Sequence, residues 1–505
     1  MKTFKFDELV NTYDRFQHPR AVIDVNGKSL TDERKGFPVS DIIVDLTSGF
    51  EASTAEFSIY DVFDKDTGSF RYEKVKKYIL LGSAVEVYLG YGDSVRNVFV
   101  GAITRVNFLF EEESVPCIRV TAMDVKGVMM SGSYARQLKA LYYSDAVREI
   151  LEKTAYEKLR MNRVIRDLVI TDTADKLRGA MSGGGLGGLG GIAGAAGLGG
   201  VTSAISQVEN AKGKVDGAIS GLPGPLSDVA GSLTDSLTGM ADSATGGMLS
   251  SAAGAAGGLT DAAGALQSGG GALSGEAGAA VNAAQNAASD VGEAAGEAAG
   301  FLSDRSLEMV AESDYEFVVK AAKKNNYEFY TECGTVYFRK AKSDTKVLIS
   351  LGPQRGIKSL DISYDITGLV EKVIARGTDA GKAAVITAKQ KRSGKLSKGN
   401  KAKALLKGSQ KVFLDPSITS QEEADERARF LTEEMSYRLG SLSCDTVGLP
   451  ELHPGHFIKL KGLGTAADNV FYIDRVRHVL DAGGTFVSEL SGKARSVEPE
   501  TGTII

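Results

Sequence analysis

Apolar residues recur at spacing two through the early part of the chain. Val98, Val100, Ala102, Thr104, Val106, Phe108 and Phe110 fall on one side of an extended segment, with the period of a sheet face. Ile42, Val44 and Leu46 alternate with Asp41, Ile43 and Asp45. Phe57 and Ile59, then Val85, Val87 and Leu89, then Ile118, Val120 and Ala122 repeat the pattern. Turn-forming residues separate the runs: Asn26-Gly27, Gly90-Tyr91-Gly92-Asp93, and an acidic tip at Glu111-Glu112-Glu113. Short strands joined by small turns predict an antiparallel barrel or sandwich.

A mixed pattern follows. Val147, Ile150 and Leu151 make a stripe behind Ser144 or Asp145 as N-cap, which predicts a helix over 144–157. Ser313-Asp314-Tyr315-Glu316 matches a capping box and predicts a helix over 314–324, with Phe317 and Ala321 on one side and a stop at Asn325-Asn326. Tyr327–Tyr330, a Cys333-Gly334 turn and Val336–Phe338 read as a hairpin. Strands return at Leu360, Ile362 and Tyr364, at Val370, Lys372 and Ile374, and at Phe457–Leu460, Phe471–Val479 and Thr485–Leu490. Ala424, Ala428, Leu431, Met435 and Leu439 predict a helix over 421–439.

Composition changes this picture in one place. The 505 residues are length for roughly three domains. Yet Gly179–Gly300 holds 32 of the 60 glycines and none of the Phe or Tyr. Its ten acids against two cations (Lys212, Lys214) give −8, so with a chain total of −5 the other 383 residues carry +3. The folded body is near neutral, and no overall basic field argues for nucleic acid. The start, MKTFKFDELVNTYDRF, lacks the apolar run of a secretion signal. Cys117, Cys333 and Cys444 are too few and scattered for a disulfide-stapled secreted scaffold, and they fit assembly in a reducing cytosol.

Gly and Ala supply little apolar area, and glycine costs the most backbone entropy to order, so 179–300 builds no conventional core of its own. Three readings stay open. The insert is a flexible or weakly helical excursion; or Gly179–Val208, uncharged over a bilayer-spanning length and rich in small-xxx-small spacings, contacts a membrane; or the Ala-rich 280–302 stretch forms a helix against a neighbouring chain.

The chemistry-bearing patterns are weak. Gly185-Leu186-Gly187-Gly188-Leu189-Gly190 matches G-x-G-x-x-G, but the preceding strand and following helix that would seat a pyrophosphate are missing from the pattern. His453, His456 and His478 with Cys444 fit no standard zinc spacing, and His18 stands alone. No nucleophile elbow or cysteine-protease signature occurs. Glu111–Glu113 reads as a solvated hairpin tip rather than a catalytic carboxylate pair. Ten cations and no acid between Lys382 and Lys411, without interleaved aromatics, read as an exposed loop, with an electrostatic contact to nucleic acid or an acidic partner as the functional alternative. No catalytic, cofactor-binding or metal-binding residue is assigned.

The segments with the firmest local patterns also carry a resemblance. Ser313-Asp314-Tyr315-Glu316-Phe317-Val318, Asn326-Tyr327-Glu328-Phe329-Tyr330 and Gly334-Thr335-Val336-Tyr337-Phe338 resemble the helix-hairpin of phage late control gene D proteins. These are baseplate hubs of contractile tails, related to the N-terminal part of VgrG spikes. Gly448-Leu449-Pro450-Glu451-Leu452-His453-Pro454-Gly455-His456, then Lys461-Gly462-Leu463-Gly464, then Phe471-Tyr472-Ile473-Asp474-Arg475-Val476-Arg477-His478 are similar to that family's G-x-P-x-L-x-P-G, G-L-G and Y-x-V-x-x-V-x-H. The insert and the basic stretch fall outside the resemblance.

The resemblance implies an α+β, mainly β chain with two tube-like antiparallel β-barrel domains and a mixed middle domain bearing the long Gly/Ala-rich insert. The first barrel would occupy 1–125; 126–178 with 301–334 the middle domain; 179–300 the insert; 335–380 with 440–495 the second barrel; and 381–439 the basic loop and helix. It implies a homotrimer, non-enzymatic and without cofactor, whose barrels form a pseudo-sixfold ring between a hexameric inner tube and a threefold spike. Implied partners are an inner-tube protein, a spike, a tape measure and a LysM-type baseplate protein, with no specific nucleic acid. With no β-helical needle before Ile505, the spike is expected to be another chain. Assembly in the bacterial cytoplasm, into a phage virion tail or an extracellular injection particle, is expected. Two rival functions stay open: a tail-associated peptidoglycan-degrading hub enzyme, and a membrane-perturbing effector acting through the insert.

Overall fold

The computed structural model describes residues 3–32, 36–138, 143–153, 156, 167–171, 307–379, 384–394, 396, 401–416, 418, 421–464 and 467–497. The insert 179–300, with its 185–190 glycine pattern and uncharged 179–208 run, lies outside the described residues, as does the Ala-rich 280–302 stretch. The chain falls into two units, one of Met1–Arg136, Val147–Ile170 and Met309–Ile505, the other of Gln137–Ala146 and Thr171–Glu308. The second unit's described residues are 137–138, 143–146, 171 and 307–308. The first unit holds the large sheet and its core.

The first half begins with helix α1 (Phe6–Thr12) and strands β1 (Pro19–Val25), β2 (Lys28–Ser29), β3 (Val39–Thr47) and β4 (Thr54–Ile59). A short hairpin, β5 (Phe63–Asp64) with β6 (Ser69–Phe70), leads into α2 (Tyr72–Ile79), β7 (Ala84–Tyr91), β8 (Ser94–Leu109) and β9 (Cys117–Met123). Ile42, Val44 and Leu46 turn into the core, as their alternation predicts. The run from Val98 to Phe110 does not stay on one face. The β8–β9 ladder shifts between Ile103 and Arg105, so the inward phase passes from Phe99 and Ile103 to Val106. An extra residue in one strand moves every later side chain to the opposite face. Phe108 and Phe110 are left 45% and 60% exposed.

Next come α3 (Val125–Met129), β10 (Tyr134–Leu138), α4 (Tyr143–Lys153), β11 (Asp167–Thr171), β12 (Leu307–Glu312) and α5 (Asp314–Asn325). The capping box at the start of α5 forms: the Glu316 N–H donates to Ser313 Oγ at 3.2 Å, and the Ser313 N–H donates to Glu316 Oε2 at 2.7 Å. Asn326 ends the helix at φ +53, a left-handed value that Asn tolerates. The hairpin β13 (Tyr327–Glu332) and β14 (Thr335–Lys340) joins β11 in a three-stranded sheet.

The second half holds β15 (Val347–Leu351), β16 (Ile357–Tyr364), β17 (Lys372–Asp379), β18 (Ala384–Lys391), α6 (Lys401–Leu406), β19 (Gln410–Leu414), α7 (Gln421–Ser436), β20 (Gly440–Val447), β21 (Phe457–Leu460), β22 (Val470–Leu480) and β23 (Phe486–Ala494). Strands β18, β17 and β19 form a separate sheet. The cation-rich stretch, read from composition as a loop, therefore contributes a strand and a helix. Ile386 and Ala388 pack towards Ala424 and Ala428 of α7, while Lys389 and Lys391 stay exposed. A few apolar residues at spacing two outweigh the surrounding charge because lysines need only water on their own face.

Both halves belong to one 13-stranded sheet. The expected pair of closed barrels is not what the hydrogen bonds describe: among the described residues no sheet closes on itself. The path runs from β16 through β20, β23, β22, β3, β4, β9, β8 and β7 to β1 and β2, with β21 and β15 branching at β22. The branch arises because one edge of β22 meets β21 at Val470–Tyr472 and β3 at Arg475–Leu480.

Within this sheet the arrangement of the first half is repeated in the second. The six principal strands of the first half, in chain order β1, β3, β4, β7, β8, β9, lie side by side as first, fourth, fifth, sixth, third, second. Those of the second half, β15, β16, β20, β21, β22, β23, lie in that same order. Registers agree as well. Ala84, Val85 and Glu86 pair with Ala102, Gly101 and Val100; Phe457, Ile458 and Lys459 pair in the same way with Tyr472, Phe471 and Val470. The bulge after Ile103 recurs after Ile473. Ile103 exchanges backbone hydrogen bonds with Gly82 and Ser83, and Ile473 does so with Gly455 and His456. One difference stands out: β1 runs antiparallel to β7, whereas β15 runs parallel to β21.

Candidate assembly surface

The Gly448–His456 succession lies where the two halves meet. Burying a carboxylate requires charged or hydroxyl partners, and Glu451 finds both in the first half. Tyr13 donates to Glu451 Oε1 at 2.6 Å, and Arg96 Nε lies 2.9 Å from the same oxygen. Tyr91 donates its hydroxyl hydrogen to the Gly448 carbonyl at 3.0 Å. Burial, then the Glu451 charge, pushes the Tyr13 hydroxyl well above the ordinary phenol range, so it stays a donor. Gly448 is required by packing: a Cβ there would sit 2.1 Å from Phe486 Cγ. Tyr13, Tyr91 and Arg96 carried no signal of their own. Glu451, a lone acid in an apolar motif, was the available hint.

His453, His456 and His478 are hydrogen-bonded within the same region. Ser488 Oγ accepts the Leu449 N–H at 2.9 Å and lies 2.8 Å from His478 Nδ1; His478 Nε2 lies 3.2 Å from the Leu452 carbonyl. A carbonyl only accepts, so Nε2 carries the proton and Nδ1 accepts from Ser488. Burial lowers the His478 pKa to about 3, leaving the ring neutral. His456 Nε2 lies 3.0 Å from Glu332 Oε2, and His453 Nε2 3.8 Å from Cys333 Sγ. Burial alone would raise the Glu332 carboxyl, but the hydrogen bond from His456 leads the groups that pull it down, to about 2. His18 is exposed at the surface. Cys117 and Cys444 are buried free thiols, and Cys333 is half-buried. Glu111–Glu113 form the exposed turn between β8 and β9, with Ser114 donating to Glu111 Oε2 at 3.2 Å.

The hairpin β13–β14 holds a buried ion pair, Arg339 with Glu328, and each member of the pair is hydrogen-bonded to the second half. Arg339 Nε donates to Glu328 Oε1 at 2.7 Å, and its Nη2 donates to the Tyr330 hydroxyl at 2.8 Å and the Gly455 carbonyl at 3.1 Å. Tyr472 donates to the other Glu328 oxygen. These buried charges are paired and hydrogen-bonded on several sides, the condition under which burial is tolerated.

The family model of the Alg8 N-terminal domain matches residues 301–482, less than half of the chain. No curated protein matches the sequence. The 43 kDa tail protein of prophage MuSo2 from Shewanella oneidensis superposes with a TM-score of 0.52 over 94% of this chain and 98% of that one, at 12% sequence identity. The chain shares the fold of that tail protein. Lower superpositions are found with the tail protein from Neisseria meningitidis MC58 (TM-score 0.49, 10% identity, 94% of this chain and 96% of that one) and the E. coli c3393 protein, a component of the type VI secretion system (0.43, 9%, 95% and 77%). In this tail-protein fold, Gly448–His456 is the tie between the halves. Among the described residues no helix is long and apolar enough to cross a membrane.

Proposed function

We propose that the chain is a structural hub of a contractile tail or tail-derived injection particle. Three copies form a ring that joins a hexameric inner tube to a threefold spike. The observation that carries this reading is the repeat itself: one polypeptide lays down the same order of six strands twice, with matching registers, in a single sheet. A trimer of such chains offers six similar modules, so one face can meet sixfold symmetry while the differences between halves keep the other face threefold. The parallel β15–β21 pair against the antiparallel β1–β7 pair is one such difference.

On this reading nothing is turned over, and preformed complementary surfaces do the work. The partners are an inner-tube protein, a spike, a tape measure and a LysM-type baseplate protein, and the assembled product is a tail or injection particle. The fold shared with a prophage tail protein supports the assignment. Native mass measurement and imaging of the purified chain with its tube protein test it. A threefold ring capping tube hexamers is expected; a monomer that never binds tube overturns the reading.

A further inference from the structure

The chain's internal junction predicts how one copy meets the next. Between the halves, β3 runs antiparallel along the β22 edge beyond the bulge, with Arg475 opposite Thr47, Val476 opposite Leu46, His478 opposite Val44 and Leu480 opposite Ile42. This junction buries a continuous apolar row: Val476, His478 and Leu480 are at most 8% exposed, and Ile42, Val44 and Leu46 at most 3%. Arg475 caps it with a two-pronged bond to Asp45, Nε to Oδ1 at 2.7 Å.

In the repeat, β8 corresponds to β22 and β16 to β3. Val106, Phe108 and Phe110 take the places of Val476, His478 and Leu480, and Leu360, Ile362 and Tyr364 those of Ile42, Val44 and Leu46. Beyond Ile103, β8 is paired with β9 on one side, and among the described residues no strand pairs with its other side. β16 is paired with β20 alone and ends the sheet path. Both apolar rows are correspondingly incomplete. Phe108 and Phe110 stand 45% and 60% exposed where their counterparts are covered, and Leu360, Ile362 and Tyr364 are only half-buried. Within one sheet these two edges lie at separate places on the path, with six strands between them, so each lacks the partner that the other could supply.

We propose that β16 of one copy pairs antiparallel with the open edge of β8 in a second copy, reproducing the internal junction. The register places Arg105 opposite Asp365, Val106 opposite Tyr364, Asn107 opposite Ser363, Phe108 opposite Ile362, Leu109 opposite Asp361, and Phe110 opposite Leu360. Arg105 and Asp365 supply opposite charges at the place where the internal junction uses Arg475. Because each copy offers one edge of each kind, the contact is heterologous and generates a ring or an open chain, never an isologous dimer. It also removes the two open edges that would otherwise invite uncontrolled strand addition. The closure of three copies rests on the hub reading; the strand register does not.

Cysteine cross-linking of the full chain tests it. Asn107 and Ser363 are both at least partly exposed, so Asn107→Cys with Ser363→Cys leaves the core intact. Directly opposed residues in antiparallel strands come within disulfide reach. Mild oxidation is expected to convert the double variant to covalent species at three times the monomer mass, while each single variant stays monomeric on a denaturing gel. A second pair, Leu109→Cys with Asp361→Cys, is expected to do the same, and Asn107→Cys with Asp361→Cys, out of register, to react far more slowly. A trimer by native mass that none of the matched pairs cross-links overturns the register and leaves the hub reading standing. A chain that stays monomeric with its tube protein present overturns both.

Discussion

Tyr13 and Glu451 lie 438 positions apart in sequence and 2.6 Å apart in space, the tyrosine donating to a carboxylate that is fully buried. The bond joins the segment after α1 to the Gly448–His456 succession, and it is one of the ties between the two halves.

Tyr13→Phe removes that hydroxyl, which Arg96 Nε also meets at 3.1 Å, and keeps the ring. A buried carboxylate deprived of one partner should cost about 1–3 kcal/mol. Lowered thermal and denaturant midpoints are expected. An unchanged midpoint in Tyr13→Phe would mean that this hydroxyl contributes nothing to holding Glu451.

At the β3–β22 junction, two variants separate charge from packing. The Arg475 side chain is 60% exposed, so Asp45→Ala should cost about 0–1 kcal/mol despite the good geometry. Leu46→Ala in the same strand empties a buried position and should cost about 2–5 kcal/mol. Urea unfolding of both checks the order; the reverse ranking would assign the junction to the ion pair.

The two glycines that occupy equivalent turns before β7 and β21 should respond unequally. Gly82 has φ +80 with open space around it, and Gly455 has φ +87 with a would-be Cβ 2.5 Å from the Tyr330 ring and hydroxyl. Gly82→Ala meets only the backbone strain, about 1 kcal/mol, whereas Gly455→Ala must also displace Tyr330 from Arg339. Thermal melts should place Gly455→Ala clearly lower.

Stability should fall on acidification. His478 titrates at about 3 in the fold against an ordinary 6.5, because burial penalises its charged form. Between those values the unfolded chain binds the extra proton, so stability is complete above pH 6.5 and is lost as pH drops towards 3. Burial shifts His453 the same way. Glu332, held at about 2 against 4.5, adds a loss that begins below its ordinary value. One such histidine contributes a slope of at most about 1.4 kcal/mol per pH unit. Denaturant midpoints measured from pH 7 to pH 4 should decline for the parent chain and decline less steeply for His478→Asn.

Local rules were legible in the residues themselves. The box from Ser313 to Glu316 starts α5 and Asn326 stops it, because both signals act over one helical turn. The alternation of Ile42, Val44 and Leu46 set which side of β3 is buried, and Cys333-Gly334 marked the tip between β13 and β14. Nothing within a few residues encodes the rest. The skip at Thr104 that sets Phe108 and Phe110 on the same face as Val106 depends on pairing with β9, and the β3–β22 seam depends on residues more than 400 positions apart. The fit of Glu451 to Tyr13 and Arg96, and the recurrence of one strand order in two halves, are likewise decided by hydrogen-bond partners brought together only when the chain closes on itself. Periodicity selects a face for each strand, while the choice of neighbour belongs to long-range packing.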